Sequence, residues 1–454
     1  MNSICFDKIY GVSNNFRLIH WLKENEWTCI NLANASRIDL TPTAGKFISL
    51  FNGYRTLRDV MSYIDSGSEK MAIEYVKRLL KLGILVDSNY MVSEEIFEKY
   101  ETPPIETLII EITGKCNAHC KFCYAKDSRH HELSFDLIKK VIMEFKEIGG
   151  QIVAITGGEP TIHPQLYDII KEIRKNRLLL AGIGTNGYFF PEKLIKLINE
   201  GPLADSIAVS LDSLDENFQD TMRGLKFIGR RAKRTITNLC KSGIPVTVNT
   251  LITKKLAQEY EKFGDTLSEL GVKRWRIIQP HGIEHLRNKD SVFMEDPLLE
   301  LKLLYNVMKA HKDRKWQFEL MSNVFMQALT KSYEELRKFD EMKKLCMHRS
   351  RVCYVRADGA ILRCNISRKS ILGFIQYHKL KDIWSNPKTW KIKTPDFKRP
   401  NKCDGCKAKD IGLCNANYFC PEQDIIGEKF ICRERLGKIA DFVIQIKQSA
   451  SPIF

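Results

Sequence analysis

The chain has 454 residues, a formal net charge of +16 and a hydrophobic share of 44%. That length holds roughly two to four domains with a large core. No apolar run approaches the about eighteen residues of a membrane span, and the start, MNSICFDKIYGVSNN, lacks the basic-then-apolar pattern of a signal peptide. A cytoplasmic protein without a membrane partner is expected, and in a reducing compartment its 14 Cys point to metal ligation or redox chemistry rather than disulfides. The positive balance suits an acidic partner (nucleic acid, an anionic surface or an acidic peptide), although Lys and Arg are spread along the chain as on a solvated surface.

Residues 1–100 open with strand-like stretches around Trp27 to Leu32. Thr41-Pro42 starts a helix, because Thr is a good N-cap and Pro fits the first turn; it stops near Gly53. A second helix after Thr56 carries Leu57, Val60, Met61 and Ile64 on one stripe. A third, Lys70 to Leu82, carries Ile73, Val76 and Leu80 and ends at Gly83, before the short apolar run Ile84 to Val86. The result is a small winged-helix-like module. DNA binding is one reading of such a module, but the third helix mixes Glu74 with Lys77 and Arg78 and has no basic cluster to read a groove. Glu101-Thr-Pro-Pro-Ile follows as a linker, since paired prolines cannot continue a helix.

Residues 101–296 alternate strands and helices. Apolar runs at Thr107–Ile112, Gln151–Thr156, Leu179–Gly184, Ser206–Ser210, Val246–Leu251 and Arg274–Gln279 are expected strands, with helical patterns such as Ile138, Val141, Ile142 and Phe145 between them. Repeated βα units give an α/β fold with a parallel sheet, here a partial (β/α)6 barrel whose chemistry gathers at the C-terminal ends of the strands. Residues 297–345 form a helical bridge. Residues 346–454, rich in Cys, Gly and Pro, are expected to be organised by metal more than by a large apolar core.

The chemistry sits at those strand ends. Cys116-x3-Cys120-x2-Cys123 follows the first strand, and three thiolates on one loop can hold three irons of a cubane and leave the fourth open. Taken alone, the triad also fits zinc. Phe122 places an aromatic between the last two thiols, where it can shield a cluster face, and Tyr124 follows them. The second strand ends in Gly157-Gly158-Glu159-Pro160, whose glycines let backbone approach a bound molecule closely. Ser210-Leu-Asp212 ends the fourth strand, and Arg223 can pair with a carboxylate. Further on stand Cys346, Cys353, Cys364, Cys403, Cys406, Cys414, Cys420 and Cys432, the right number for two cubanes or two zinc sites, which ligand type does not separate. Cys5, Cys29 and Cys240 stand alone and read as small buried apolar side chains. His163 and His281 lie near strand ends, but no catalytic base is assigned.

The cysteine triad followed by Gly157-Gly158-Glu159-Pro160 resembles the radical S-adenosylmethionine enzymes. The resemblance implies a [4Fe–4S] cluster on Cys116, Cys120 and Cys123, with Phe122 and Tyr124 beside the cofactor. Gly157, Gly158 and Glu159 would meet the cofactor's amino group, and Ser210 and Arg223 its ribose and carboxylate. Cys346, Gly359 and Cys364, with the run from Cys403 to Cys432, are similar to the SPASM extension of peptide-modifying radical enzymes. That similarity implies two auxiliary clusters, three [4Fe–4S] clusters in all. By the family's interleaved order one would take Cys346, Cys353, Cys364 and Cys420, the other Cys403, Cys406, Cys414 and Cys432. The gaps on either side of Cys414 are each two residues longer than the commonest family pattern. Asn365 stands where formylglycine-generating members carry an Asp.

Leu40 to Val86 resembles the peptide-recognition domain that is similar to the small chaperone of pyrroloquinoline quinone biosynthesis, which captures a leader peptide as an added strand. Together the resemblances imply a maturase that cross-links a ribosomally made precursor peptide (thioether, carbon–carbon or ether). Its partners would be that peptide and an external electron donor such as a flavodoxin or ferredoxin, with no nucleic acid. The alternatives are a formylglycine-generating or epimerising radical enzyme and, in another class, a zinc-containing winged-helix regulator.

Overall fold

The computed structural model describes residues 4–87, 96–123, 125–278, 292–294, 296–321, 329–335, 351–362, 368, 370–389, 407–411 and 432–448. The N-terminal module runs β1 (Ile9–Val12), β2 (Phe16–Trp21), β3 (Glu26–Asn31), β4 (Arg37–Leu40), α1 (Pro42–Ser49), β5 (Asn52–Thr56), α2 (Leu57–Met61), α3 (Glu69–Lys81), β6 (Leu85–Asp87) and β7 (Phe97–Tyr100). Thr41 caps α1 by accepting from the Ala44 N–H, and Thr56 with Asp59 forms a capping box that starts α2. The first helix ends at Ser49 rather than near Gly53, because Asn52–Thr56 is a strand and Gly53 takes a left-handed φ of 82° at its start.

The three helices pack with a sheet of order β5-β1-β6, and a second sheet of order β4-β3-β2-β7 extends the module beyond the winged-helix-like plan. Alternation in this second sheet serves two cores. Leu18, Trp27 and Cys29 face the module's own helices, whereas Ile19, Trp21 and Ile30 pack with Ile152 and Leu179.

Those last two residues begin β9 and β10 of the central sheet, which is built from β8 (Thr107–Thr113), α4 (Phe135–Glu147), β9 (Ile152–Gly157), α5 (Leu166–Lys175), β10 (Leu179–Thr185), α6 (Glu192–Asn199), β11 (Ile207–Ser210), α7 (Glu216–Arg223), α8 (Ile228–Lys241), β12 (Val246–Leu251), α9 (Lys254–Glu269) and β13 (Arg274–Ile278). All six expected barrel strands are present, with helices returning between them. Then come α10 (Pro297–Asp313), β14 (Glu319–Met321), β15 (Val352–Val355), β16 (Ala360–Leu362), β17 (Ile371–Phe374), α11 (Leu380–Ser385), α12 (Lys407–Asp410) and α13 (Cys432–Gln448).

The sheet order is β14-β13-β12-β11-β10-β9-β8-β15-β16-β17. Every neighbour from β14 to β15 is parallel, and β16 and β17 turn back antiparallel. Two expectations change here. The bridge contributes a strand, β14, and the Cys-rich segment contributes three that continue the barrel sheet. Val355, Ile361, Leu380, Ile383, Trp384, Ile439 and Val443 belong to the same apolar core as the barrel, so the described part of this segment rests on hydrophobic packing. The linker, too, is strapped down: Thr102 and Ile105 are buried, and the Trp384 indole N–H donates to the Pro103 carbonyl.

An ion network locks module to barrel. Glu98 on β7 takes both Arg17 donors at 2.7 Å, Lys146 of α4 at 2.6 Å and the Tyr100 hydroxyl at 2.6 Å, while Arg17 also reaches the Arg177 carbonyl. Burial would raise the Glu98 carboxyl, but Arg17 and Lys146 hold it down at about 2. Lys146 shares that carboxylate with a better-placed guanidinium, and burial brings its ammonium down to about 8. A carboxylate depressed in the fold contributes stability above its unfolded pKa of about 4.3, and the contribution is lost as pH falls through that value toward about 2. Glu98→Gln is therefore expected to cost about 3 kcal/mol at neutral pH. Urea titrations at pH 7 and pH 3 check it, with the gap between variant and wild type narrowing at the lower pH.

Candidate radical site

The cysteine loop leaves the C-terminal end of β8 and docks on the end of α7: His119 N–H donates to the Arg223 carbonyl at 3.0 Å and Lys121 N–H to the Met222 carbonyl at 3.3 Å. Gly224 permits this contact, with a φ of 60° and its Cβ position 2.7 Å from the His119 carbonyl oxygen. Within the loop the Ala118 N–H points at Cys116 Sγ (3.4 Å), and Asn186 Nδ2 lies 3.9 Å from the same sulfur. Such N–H···S contacts tune iron–sulfur centres.

Burial pushes the Cys116 and Cys120 thiols up, with Arg223 drawing Cys120 partly back. Coordination is what takes such thiols to thiolate. Among the described residues no three His, Cys, Asp or Glu side chains converge on one ion. A cubane asks for a different arrangement, one thiolate at each of three corners, and a half-buried all-sulfur donor set on one loop fits that group. Phe122 packs edge-on to Phe293 at 6.2 Å and lies under the Arg223 guanidinium at 5.3 Å.

Glu159 organises the neighbouring strand ends. It is wholly buried; Oε1 accepts from Thr161 N–H (3.1 Å), Thr161 Oγ1 (2.7 Å) and Thr185 Oγ1 (2.7 Å), and Oε2 from Asn186 N–H (2.6 Å). Burial raises its carboxyl while these donors oppose the rise. Asn186 in turn donates to Asn117 Oδ1 at 2.7 Å, next to Cys116. The glycines before Glu159 serve the protein's own backbone first. A Cβ at Gly157 would sit 2.1 Å from the Thr113 carbonyl oxygen, and one at Gly158 would sit 2.2 Å from that of Lys115.

Ser210 ends β11, half-buried and facing inward. Arg223 is buried and its carboxylate is internal: both Nε and Nη2 meet Asp212 Oδ2, at 2.9 and 2.8 Å, while Asp212 Oδ1 accepts from the Leu251 N–H. Its remaining donors are what stay for a cofactor carboxylate. His163 is buried against the Leu133 carbonyl and the Gln165 N–H, a structural placement.

Cys353 lies on β15 opposite Leu108, buried in the apolar core. Cys29 is buried as expected, its thiol pushed up to about 12, and Cys240 is half-buried at about 11, whereas Cys5 is exposed. Tyr124, His281, Asn365, Cys346, Cys364, Cys403, Cys406, Cys414, Cys420 and the side chain of Cys432 lie outside the described residues.

Sequence reasoning missed Asn117, Thr185, Asn186 and the pairing role of Asp212. Only Thr185-Asn186-Gly187 at the third strand end carried a visible turn signal. Asp212→Asn leaves the buried Arg223 charge uncompensated under the cysteine loop. We expect a loss of about 3–5 kcal/mol and less iron retained after gel filtration, read by denaturation and by iron analysis.

The comparisons with known proteins agree with this geometry. Residues 110–269 match the Radical SAM superfamily model, and residues 346–407 match SPASM, an iron–sulfur cluster-binding domain. An AdoMet-dependent heme synthase of Methanosarcina barkeri is 23% identical over 339 residues, 72% of this chain and 96% of that protein. The crystal structure of Streptococcus suis SuiB bound to precursor peptide SuiA superposes with a TM-score of 0.66 at 18% identity, covering 90% of this chain and 95% of SuiB. Native anSMEcpe with bound AdoMet and Cp18Cys peptide gives 0.54 at 19% identity, covering 75% and 100%. The chain carries a radical SAM domain on a parallel α/β sheet, followed by a SPASM domain.

Proposed function

We propose that this enzyme installs an intramolecular cross-link (thioether, carbon–carbon or ether) in a ribosomally synthesised precursor peptide that its N-terminal module holds by the leader. The observation that carries the reading is the reach of the SuiB likeness. It covers 90% of the chain, and the uncovered tenth is smaller than the N-terminal module, so the likeness extends into that module. The heme synthase relative matches 72% of the chain, which leaves room for a whole module of this size. SuiB was solved with a precursor peptide. In this chain β5 and β6 are the edges of the module's three-stranded sheet among the described residues, and an edge is where an extended peptide adds as a strand.

When bound at Cys116, Cys120 and Cys123, a [4Fe–4S] cluster with S-adenosylmethionine supplies a 5′-deoxyadenosyl radical that abstracts a hydrogen atom. The protein's share is placement. Glu159 fixes the ends of β9 and β10, Asn186 and Asn117 hold the loop at Cys116, and Asp212 keeps Arg223 beneath Phe122. Ser210 and the remaining Arg223 donors would hold the cofactor's ribose and carboxylate.

The eight later cysteines would hold two auxiliary clusters that accept the electron left as the new bond closes. An external flavodoxin or ferredoxin would supply the reducing electron. Arg368 on the Cys-rich segment pairs with Glu111 on the inward face of β8 and with Asp127 just past the cysteine loop, which ties that segment to the radical site.

Co-expression with a precursor peptide encoded by any short reading frame found beside its gene tests the proposal. The expected product is a peptide lighter by two hydrogens, about 2 Da per bond, with fragmentation blocked between the joined residues. Unmodified peptide together with turnover of a porphyrin would overturn it. Anaerobic preparations should hold about twelve iron and twelve sulfide per chain, falling by about four in the Cys116→Ala, Cys120→Ala, Cys123→Ala triple variant.

A further inference from the structure

The two inward arginines of β13 are treated differently by the fold. Arg274 meets Asp205 at 2.6 Å and Glu319 at 3.0 Å, two carboxylates for one guanidinium. Arg276, one inward position higher, has no carboxylate partner among the described residues; its one hydrogen bond there runs from Nε to the Met321 sulfur at 2.8 Å. Trp275 and Ile277 between and beyond them are fully buried against the helices, which turns Arg276 to the barrel side. Burial and the neighbouring Arg274 push its guanidinium down, with distant Asp205 opposing them.

The register places Arg276 opposite Asn249, and Asn249 opposite Ser210, so three polar side chains share one row across β13, β12 and β11. Asn249 Oδ1 is buried without a hydrogen-bond partner. Among the described residues the side chains before this row are small. The inward residues Ala154, Gly184 and Ala208 are small and keep partial exposure, and a Cβ at Gly184 would meet nothing nearer than Thr156 Oγ1 at 3.5 Å. A half-buried guanidinium without a carboxylate beside it, next to a buried carboxamide oxygen without a donor, suits a ligand that brings both an acceptor and a donor. An anion accepts from the planar guanidinium fork, and a carboxylate does so bidentately, while Asn249 Oδ1 accepts from an N–H or O–H of the same ligand.

We infer that Arg276, with Asn249 beside it, anchors a carboxylate carried by the substrate, two strands past the cofactor residue Ser210. The inference uses the radical-site reading for the position of the cofactor but not the peptide reading. The carboxylate belongs either to an acidic residue of a peptide or to a small carboxylated molecule.

Site-resolved phenylglyoxal labelling of the anaerobic, S-adenosylmethionine-loaded holoenzyme tests it. Probes are N-acetyl-Ala-Glu-Ala amide and iron–coproporphyrin III, with N-acetyl-Ala-Gln-Ala amide and the porphyrin tetramethyl ester as controls without a carboxylate. At saturating probe, labelling of Arg276 is expected to fall roughly tenfold with a carboxylate probe and to hold with its control. Protection by the tripeptide supports a peptide acid. Protection by the porphyrin alone sustains the carboxylate anchor while sinking the peptide reading. Loss of Arg276 labelling already on adding S-adenosylmethionine to the cluster-loaded enzyme without it, or no protection by either probe, overturns the anchor.

Discussion

A single buried carboxylate holds the radical site in shape. Glu159 sits at the end of β9 and collects donors from its own turn, from the last residue of β10 and from the segment after it. Through Asn186 and Asn117 that order reaches Cys116, whose loop otherwise rests on two backbone contacts to α7. A second carboxylate, Asp212, repeats the device two strands further on by gripping Arg223 and the Leu251 N–H. Both acids are fully buried. Charges so placed are tolerable because each is saturated with donors, and saturation is what makes the strand ends rigid.

This division of labour changes what the motif residues mean. Gly-Gly-Glu-Pro suggests direct contact with a ligand, yet the glycines are required by carbonyls of the β8 end and the Glu by its own neighbours. Arg223 suggests a partner for a cofactor carboxylate, yet its first partner is Asp212. In each case the residue holds backbone in the position where a cofactor can then meet it. Sequence picks out such residues but cannot divide contact from support, because both need the same chemistry at the same spacing.

The barrel was legible for a physical reason. Strands buried on the helix side and bounded by Gly, Asn or Asp announce themselves as apolar runs, and Val246–Leu251 matches residue for residue. Strands β2, β4 and β7 went unseen because Arg17, His20, Arg37, Asp39, Glu98 and Lys99 interrupt them, and β1 because four residues give no period to read. Two of those charges, Arg17 and Glu98, are the buried lock between module and barrel, so the feature that hid the strands is the one that fastens them. Strands β15 to β17 were masked by length: three or four residues each give no period to read, and their burial comes from joining an existing sheet rather than from their own pattern.

Parallel order then decides where chemistry can occur. With β14 through β15 all running the same way, every strand end after the turn-rich side faces one mouth, and the N-terminal module packs against Ile152 and Leu179 at the opposite end. The inner face between these ends carries few ionic groups, and among the described ones Glu111 is matched by Arg368 and Arg274 by Asp205 and Glu319. Against that background an inward guanidinium bonded only to a thioether is out of keeping with the rest of the barrel. Folding alone does not require it, since a Leu or Met at that position would pack beside Met321 at lower desolvation cost. What a guanidinium adds over those is the capacity to orient a charged group two strands away from Ser210, and orientation is the part of radical chemistry that a protein must supply.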